Sequence, residues 1–202
     1  MPEARGRGPA PLALVVYGTL TVVTLGIALA RAKNPVFTDQ AWVSFGGPIG
    51  HGVSLAFGVL LAAATIAATR FFVRRFGWAR RLHGDLRPSI RYAGDATIVI
   101  LGVASAVAEE LFFRGFLATV CGLVVSSLAF GALHQLKGRV RWAWAGWATV
   151  MGLLFGALFL ATGSLAGPVV AHAAINVANL RFLRDTDIDP PKPKKLGGLL
   201  AR

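Results

Sequence analysis

The chain has 202 residues, is 55% hydrophobic with a mean hydropathy of +0.62, and is only 15% charged, where soluble domains average about 25%. Its apolar residues come in long blocks rather than amphipathic stripes, which excludes an ordinary water-soluble domain and indicates an integral, all-α, multi-pass membrane protein. The net charge of +12 does not signal nucleic acid, because the basic residues fall between the apolar blocks, where orienting charge belongs.

The first apolar block runs from about Ala10 to Ala30, long enough to span a bilayer and longer than a signal-peptide core. Residues 31–48 read as a polar loop broken by Pro35 and Gly46-Gly-Pro48. A second block covers about Ile49 to Thr69. The segment Arg70 to Arg91 carries seven arginines and no long apolar run. It reads as a partly helical membrane-surface segment facing anionic lipid.

The third block starts near Ala93 and continues to Gly122, with Ser126-Ser127 opening a fourth helix that reaches about Leu136. A basic loop follows, and Trp142, Trp144 and Trp147 form an interface belt. The fifth block ends near Thr162, Thr162-Gly-Ser-Leu165 is a turn, and the sixth block covers about Leu165 to Leu183. The expected architecture is a bundle of about six transmembrane helices. Its parts are an N-terminal region (1–92), a core (93–183) and a loose tail (184–202). With the N-terminus inside, Arg31 and Lys33 are the basic residues left outside and Arg114 lies in the membrane, so both termini are expected in the cytoplasm. The implied location is the bacterial cytoplasmic membrane. Cys121 is the one cysteine, which excludes an intrachain disulfide and a cysteine-based metal site.

Within the apolar blocks the polar residues are few, and their spacing is informative. Glu109 and Glu110 are adjacent, although a carboxylate in hydrocarbon costs about 2.5–3.5 kcal/mol on insertion scales. Glu110 and Arg114 are four apart, so they share a helix face and pair. Glu109 is turned about 100° away and keeps its charge for another purpose. Phe130 and His134 are four apart on the next helix, as are His172 and Asn176 on the last, with Asn179 further along the same side. A buried Glu can act as a general base, a His can polarise the same water, and an Asn amide can stabilise an oxyanion. Those are the parts needed to attack an amide with water. Two His and a carboxylate also make a catalytic zinc set, but no H-E-x-x-H chelate is present.

Glu109-Glu-x-x-x-Arg114, Phe130-x-x-x-His134 and His172-x-x-x-Asn176 resemble the three motifs of the CPBP (CAAX protease and bacteriocin-processing, or Abi) intramembrane endopeptidases. Phe112-Phe-Arg-Gly115, Thr162-Gly-Ser-Leu165 and Pro168-Val-Val-Ala-His172 agree with it, and the resemblance covers about Ala93 to Leu180. It implies an intramembrane protease acting on a membrane-embedded protein or peptide. In that scheme Glu109 is the base, His134 assists it, His172 and Asn176 form the oxyanion side, and Glu110, Arg114 and Phe130 support. The preferred reading needs no cofactor. In the metal-dependent version, His134 and His172 with Glu109 hold zinc.

Many relatives carry basic residues shortly after the first motif and before the Thr-Gly-Ser turn, whereas residues 115–127 and 155–180 here hold no charge. This departure, with the charge count, points to access from the outer leaflet and to removal of C-terminal anchors from exported proteins, as in sorting relatives such as the myxosortases. The alternatives are a non-catalytic bacteriocin-immunity or scaffold protein on the same fold, and a small transporter with a Glu109–His172 proton relay. The lack of visible sequence repeats counts against the transporter.

Overall fold

The computed structural model describes residues 10–43, 45, 47–135, 138 and 140–188. They form an all-α bundle of α1 (Ala10–Ala30), α2 (Gly47–Arg75), α3 (Gly77–Leu86), α4 (Asp95–Glu110), α5 (Thr119–Leu133), α6 (Arg141–Thr162) and α7 (Ala166–Asp185). A π-helical segment, Leu111–Ala118, joins α4 to α5, and a 3-10 turn, Arg87–Ser89, follows α3. Four helical stretches are long and apolar enough to cross a membrane: Pro11–Ala30, Gly47–Arg75, Asp95–Leu133 and Arg141–Thr162. The chain is therefore an integral membrane protein. Residues 1–9 and 189–202 lie outside the described residues, so the expected sidedness of the termini and most of the loose tail are not placed. The start of that tail, Arg184 and Asp185, is the last turn of α7.

α1 coincides with the first expected block, whereas α2 outruns the second at both ends. Its 29 residues give about 43 Å, against a hydrocarbon core of about 30 Å. A helix of that length outreaches the hydrocarbon, and Arg74 and Arg75 at its end, with α3 immediately after them, suit the headgroup level.

The break expected between Gly122 and Ser126 falls at Gly122, the expected end of the third block. Gly122 adopts φ 81°, ψ 170° inside α5, a conformation that a side chain opposes. The chain reverses there. Glu109 lies thirteen residues before Gly122 and His134 twelve after, so the two arms of the hairpin bring them level. Phe113 and Phe130 meet edge to face across the hairpin, with ring centroids 4.9 Å apart.

α7 is the central element, packed against α2, α4 and α6. Its contact with α2 follows from small residues. Gly50, Ser54, Gly58 and Ala62 recur every fourth position and are buried, which lets two backbones approach closely in a membrane. Ser54 Oγ accepts from the Gly167 amide at 2.9 Å and donates to the Ser164 carbonyl at 3.0 Å. A Cβ at Gly58 would lie 2.5 Å from the Gly167 carbonyl oxygen. Gly58→Leu is thus expected to force the helices apart and destabilise the bundle by about 1–3 kcal/mol. Thermal unfolding in detergent checks this, and an unchanged midpoint would contradict the packing.

At one end of the bundle the α6–α7 turn is sealed. Gly163 takes the left-handed conformation (φ 71°) that caps α6. The loop after α1 lies over the turn, with backbone bonds from Thr38 N to Gly163 O (3.1 Å), Trp42 N to Leu160 O (2.7 Å) and Leu165 N to Val36 O (3.0 Å). His51 Nδ1 lies 2.8 Å from Ser164 Oγ. The stretch expected to be a polar loop is therefore an ordered plug.

The other end gathers the arginines. Arg184 pairs with Asp95 at 2.9 Å, Arg87 pairs with Asp187 at 2.9 Å, and His83 Nε2 donates to the Thr186 carbonyl at 2.9 Å. Arg70 does not face lipid as the sequence pattern implied. It donates to Asn179 Oδ1 (2.9 Å) and the Ala178 carbonyl (2.8 Å), and its guanidinium lies 3.8 Å from the centre of the Phe182 ring.

Candidate functional site

Glu110 and Arg114 are fully buried and joined at 2.8 Å. The π-helical turn beginning at Leu111 keeps positions four apart on one side, and such turns often mark functional sites. Arg114 also donates to the Gly152 carbonyl at 3.2 Å, and its guanidinium faces the rings of Phe130 (4.5 Å) and Phe155 (5.3 Å). Phe130 thus supports the site as a platform for the cation.

Glu110 has a second partner that its pairing with Arg114 had concealed. Its Oε1 lies 2.7 Å from His172 Nδ1. A carboxylate only accepts, so Nδ1–H donates and the neutral ring presents the Nε2 lone pair on its far side. His172 Nε2 lies 3.8 Å from Glu109 Oε2. Phe155 stacks on the same imidazole at 5.0 Å between centroids.

His134 differs from the expectation that it lies within a helix reaching about Leu136. It is the residue just past α5, with φ −87° and ψ 52°. Its Nδ1 donates to the Phe130 carbonyl at 2.7 Å, which leaves its Nε2 3.8 Å from Glu109 Oε2. The two imidazoles therefore turn equivalent nitrogens toward one carboxylate oxygen. That oxygen is buried and, among the described residues, has no hydrogen-bond partner.

Asn176 lines the same cavity, and its Nδ2 donates to Ser105 Oγ at 2.9 Å. One of its two N–H groups is thereby used and one remains. Asn179, on the same side of α7, holds Arg70 instead. Tyr17 of α1 and Ser105 also line the cavity, and sequence reasoning had not named them; Trp144, read from the sequence as part of an interface belt, lines it too. Tyr17 is one of two tyrosines in the chain and the one within the first apolar block, which is the signal it offered.

The donor chemistry of His134, His172 and Glu109 suits zinc, and each imidazole has the second hydrogen bond that metal-bound histidines make. The spacing is wider than such a set requires. Ligands on a tetrahedral zinc are about 3.4 Å apart, given bonds of about 2.0–2.1 Å, and both nitrogens here lie 3.8 Å from Oε2. Among the described residues, no group of three or more His, Cys, Asp or Glu is placed to hold a metal ion.

The cavity has a volume of about 480 Å³. From the carboxylate it runs between α1 and α7 to the apolar face of α3, along Phe72, Trp78, Leu82, Leu86 and Leu183. His172 lies about 9 Å along α7 from Ala166, close to the plugged end, and the cavity lining extends from it toward the opposite, arginine-rich end.

Residues 96–178 match the family model described as type II CAAX prenyl endopeptidase Rce1-like. A Bacillus subtilis (strain 168) protein described as uncharacterized protein YpbD is 38% identical over 79 residues. That overlap is 39% of this chain and 41% of the relative's length. No solved structure matches the chain. The matched segment runs from the start of α4 to Ala178 on α7 and includes Glu109, Glu110, Arg114, Phe130, His134, His172 and Asn176. The α4–α7 core of this chain is therefore similar to the Rce1-like, CAAX-protease (CPBP) family.

Proposed function

We propose that the chain is an intramembrane endopeptidase of the cytoplasmic membrane that hydrolyses a peptide bond in a membrane-associated protein or peptide. The observation that carries this reading is the unpartnered Glu109 Oε2 facing two imidazole Nε2 atoms, each at 3.8 Å. One water hydrogen-bonded at about 2.8 Å to each of two groups spans such a gap. Charge supports the same assignment. Arg114 neutralises Glu110, which leaves Glu109 as the carboxylate without a guanidinium partner.

In the reaction, water bridging Glu109 Oε2 and His134 Nε2 attacks the scissile carbonyl carbon while Glu109 takes its proton. The carbonyl oxygen becomes an oxyanion, stabilised by the free N–H of Asn176 and by His172 when its Nε2 is protonated. Glu110 holds the His172 ring by Nδ1 in either protonation state. Glu109 then returns its proton to the amide nitrogen as the C–N bond breaks, giving a carboxylic acid and a free amine. No step is routed through a metal. His134→Ala in proteoliposomes is expected to slow cleavage of a membrane-spanning reporter peptide by about 10²-fold or more, with cleavage by the parent protein persisting in the presence of a chelator. Loss of activity on chelation, restored by zinc, would replace the water reading with the metal one.

Substrate enters at the arginine-rich end. We favour a substrate segment presented at the arginine-rich surface over the exported anchor that outer-leaflet access would serve. A bulky maleimide on Leu86→Cys, in a Cys121→Ser background, is expected to block cleavage by at least tenfold, whereas the same label on Val36→Cys at the plugged end leaves it unchanged. The reverse pattern would contradict the entry route. A scaffold role on the same fold predicts no cleavage by any form of the protein.

A further inference from the structure

α3 has two faces, and the catalytic cavity uses one of them. Trp78, Ala79, Leu82 and Leu86 line the cavity. The opposite face, with the turn after it, lines a separate cleft of about 510 Å³ that includes Arg80, Arg81, Arg87 and Arg91. Two carboxylates, Asp85 and Asp187, share this cleft, so the four guanidiniums leave it cationic. Asp187 is committed to Arg87 Nη1 at 2.9 Å, while, among the described residues, Arg87 Nε is buried without an acceptor.

The floor of the cleft is unusual for a helix. Gly77 and Gly84 lie seven residues apart, on one side of α3, and both line the cleft. A Cβ at Gly84 would meet nothing within 4 Å. Glycine inside a helix costs about 0.5–1 kcal/mol relative to alanine, and no neighbour requires it here. The glycine leaves that side of the cleft without a side chain.

We propose that this cleft is a binding site for the phosphate of an anionic lipid headgroup, outside the family core and separate from the peptidase cavity. The headgroup level is set by α2, whose length puts its terminal arginines beyond the hydrocarbon, with α3 directly following. Trp78 and Tyr92 flank the segment as interface residues, and Arg91 lies 4.5 Å over the Tyr92 ring. A phosphate diester offers oxygens to the fixed forks of several arginines and to Arg87 Nε. A pocket of this size holds one headgroup rather than a polymer.

The test is native mass spectrometry of the full chain in detergent with phosphatidylglycerol or phosphatidylcholine. The wild type is expected to retain phosphatidylglycerol at least tenfold better than phosphatidylcholine. Arg81→Ala/Arg91→Ala is expected to lose that preference. Gly84→Leu keeps every charge and fills the floor, and it is expected to lose the preference as well. Far-UV circular dichroism confirms that each variant is folded. Equal retention of both lipids by the wild type would overturn the proposal, as would an undiminished preference in folded Gly84→Leu. Displacement of the lipid by millimolar inorganic phosphate, or by a short acidic peptide at the same concentration, would assign the cleft to a soluble anion or a protein partner and overturn it too.

Discussion

Glu109→Gln is expected to abolish cleavage, by about 10²–10⁴-fold or more for loss of a general base, with little change in fold. The carboxamide is nearly the same size but takes no proton from water. The structure gives a reason for the small effect on stability. Among the described residues, Glu109 Oε2 has no hydrogen-bond partner, so the substitution breaks no protein–protein bond at that atom. The contact to either imidazole is 3.8 Å, beyond hydrogen-bonding distance. A rate assay on the reporter peptide together with a thermal unfolding midpoint separates the two effects. A variant that loses its fold and its activity together would assign Glu109 to structure, and a variant that keeps its rate would remove it from the chemistry.

The neighbouring pair has the opposite expected profile. Arg114→Met leaves the Glu110 carboxylate buried without its cation, and breaking one side of a buried pair costs about 3–5 kcal/mol. Arg114→Lys is not expected to rescue it. The planar fork reaches Glu110 and the Gly152 carbonyl at once while lying over Phe130 and Phe155, and an ammonium cannot reproduce that geometry. Removing both charges, as Glu110→Gln/Arg114→Met, is expected to recover much of the stability. It does not recover activity, because His172 then loses the carboxylate that orients its ring at 2.7 Å. Unfolding measurements on the single and double variants supply the cycle. Additive losses in the double variant would mean that the two residues are not coupled.

These contrasts show how far the sequence was legible. Length and hydropathy were enough for α1, because a span of apolar residues bounded by arginine has one natural reading. The i, i+4 spacing was enough for Glu110 with Arg114, because that contact lies within one helical stretch. The convergence of Glu109, His134 and His172 came from motifs on three separate segments, and the structure places them together. What was hidden depends on how helices rotate and meet. Arg70 belongs by composition to a surface run, yet the rotation of α2 places it on Asn179 and Phe182. Gly122 is one glycine among 24, and nothing local distinguishes its left-handed turn from glycines that merely pack. The contact of Glu110 with His172 joins residues 62 positions apart. The direction of the cavity depends on the plug formed by the loop after α1, whose backbone bonds to the α6–α7 turn leave no periodic trace.

The division between the two glutamates also explains why they are adjacent. Neighbours on a helix point about 100° apart, so one carboxylate turns toward the arginine and the aromatic platform while the other turns into the cavity. The same hydrogen-bond chain links them through His172, whose two nitrogens face one glutamate each. Arg114 thus acts on the site through Glu110 and His172, which makes it a positioning residue rather than a group that touches substrate.

The most direct test of the central claim is the cleavage of a membrane-spanning reporter peptide in proteoliposomes made up in water enriched in oxygen-18. If Glu109 and His134 activate water for direct attack, the wild-type product carries one heavy oxygen in its new C-terminal carboxylate at the first turnover, and Glu109→Gln yields no labelled product. A first-turnover product without heavy oxygen, or equal labelling with Glu109→Gln, would contradict the account.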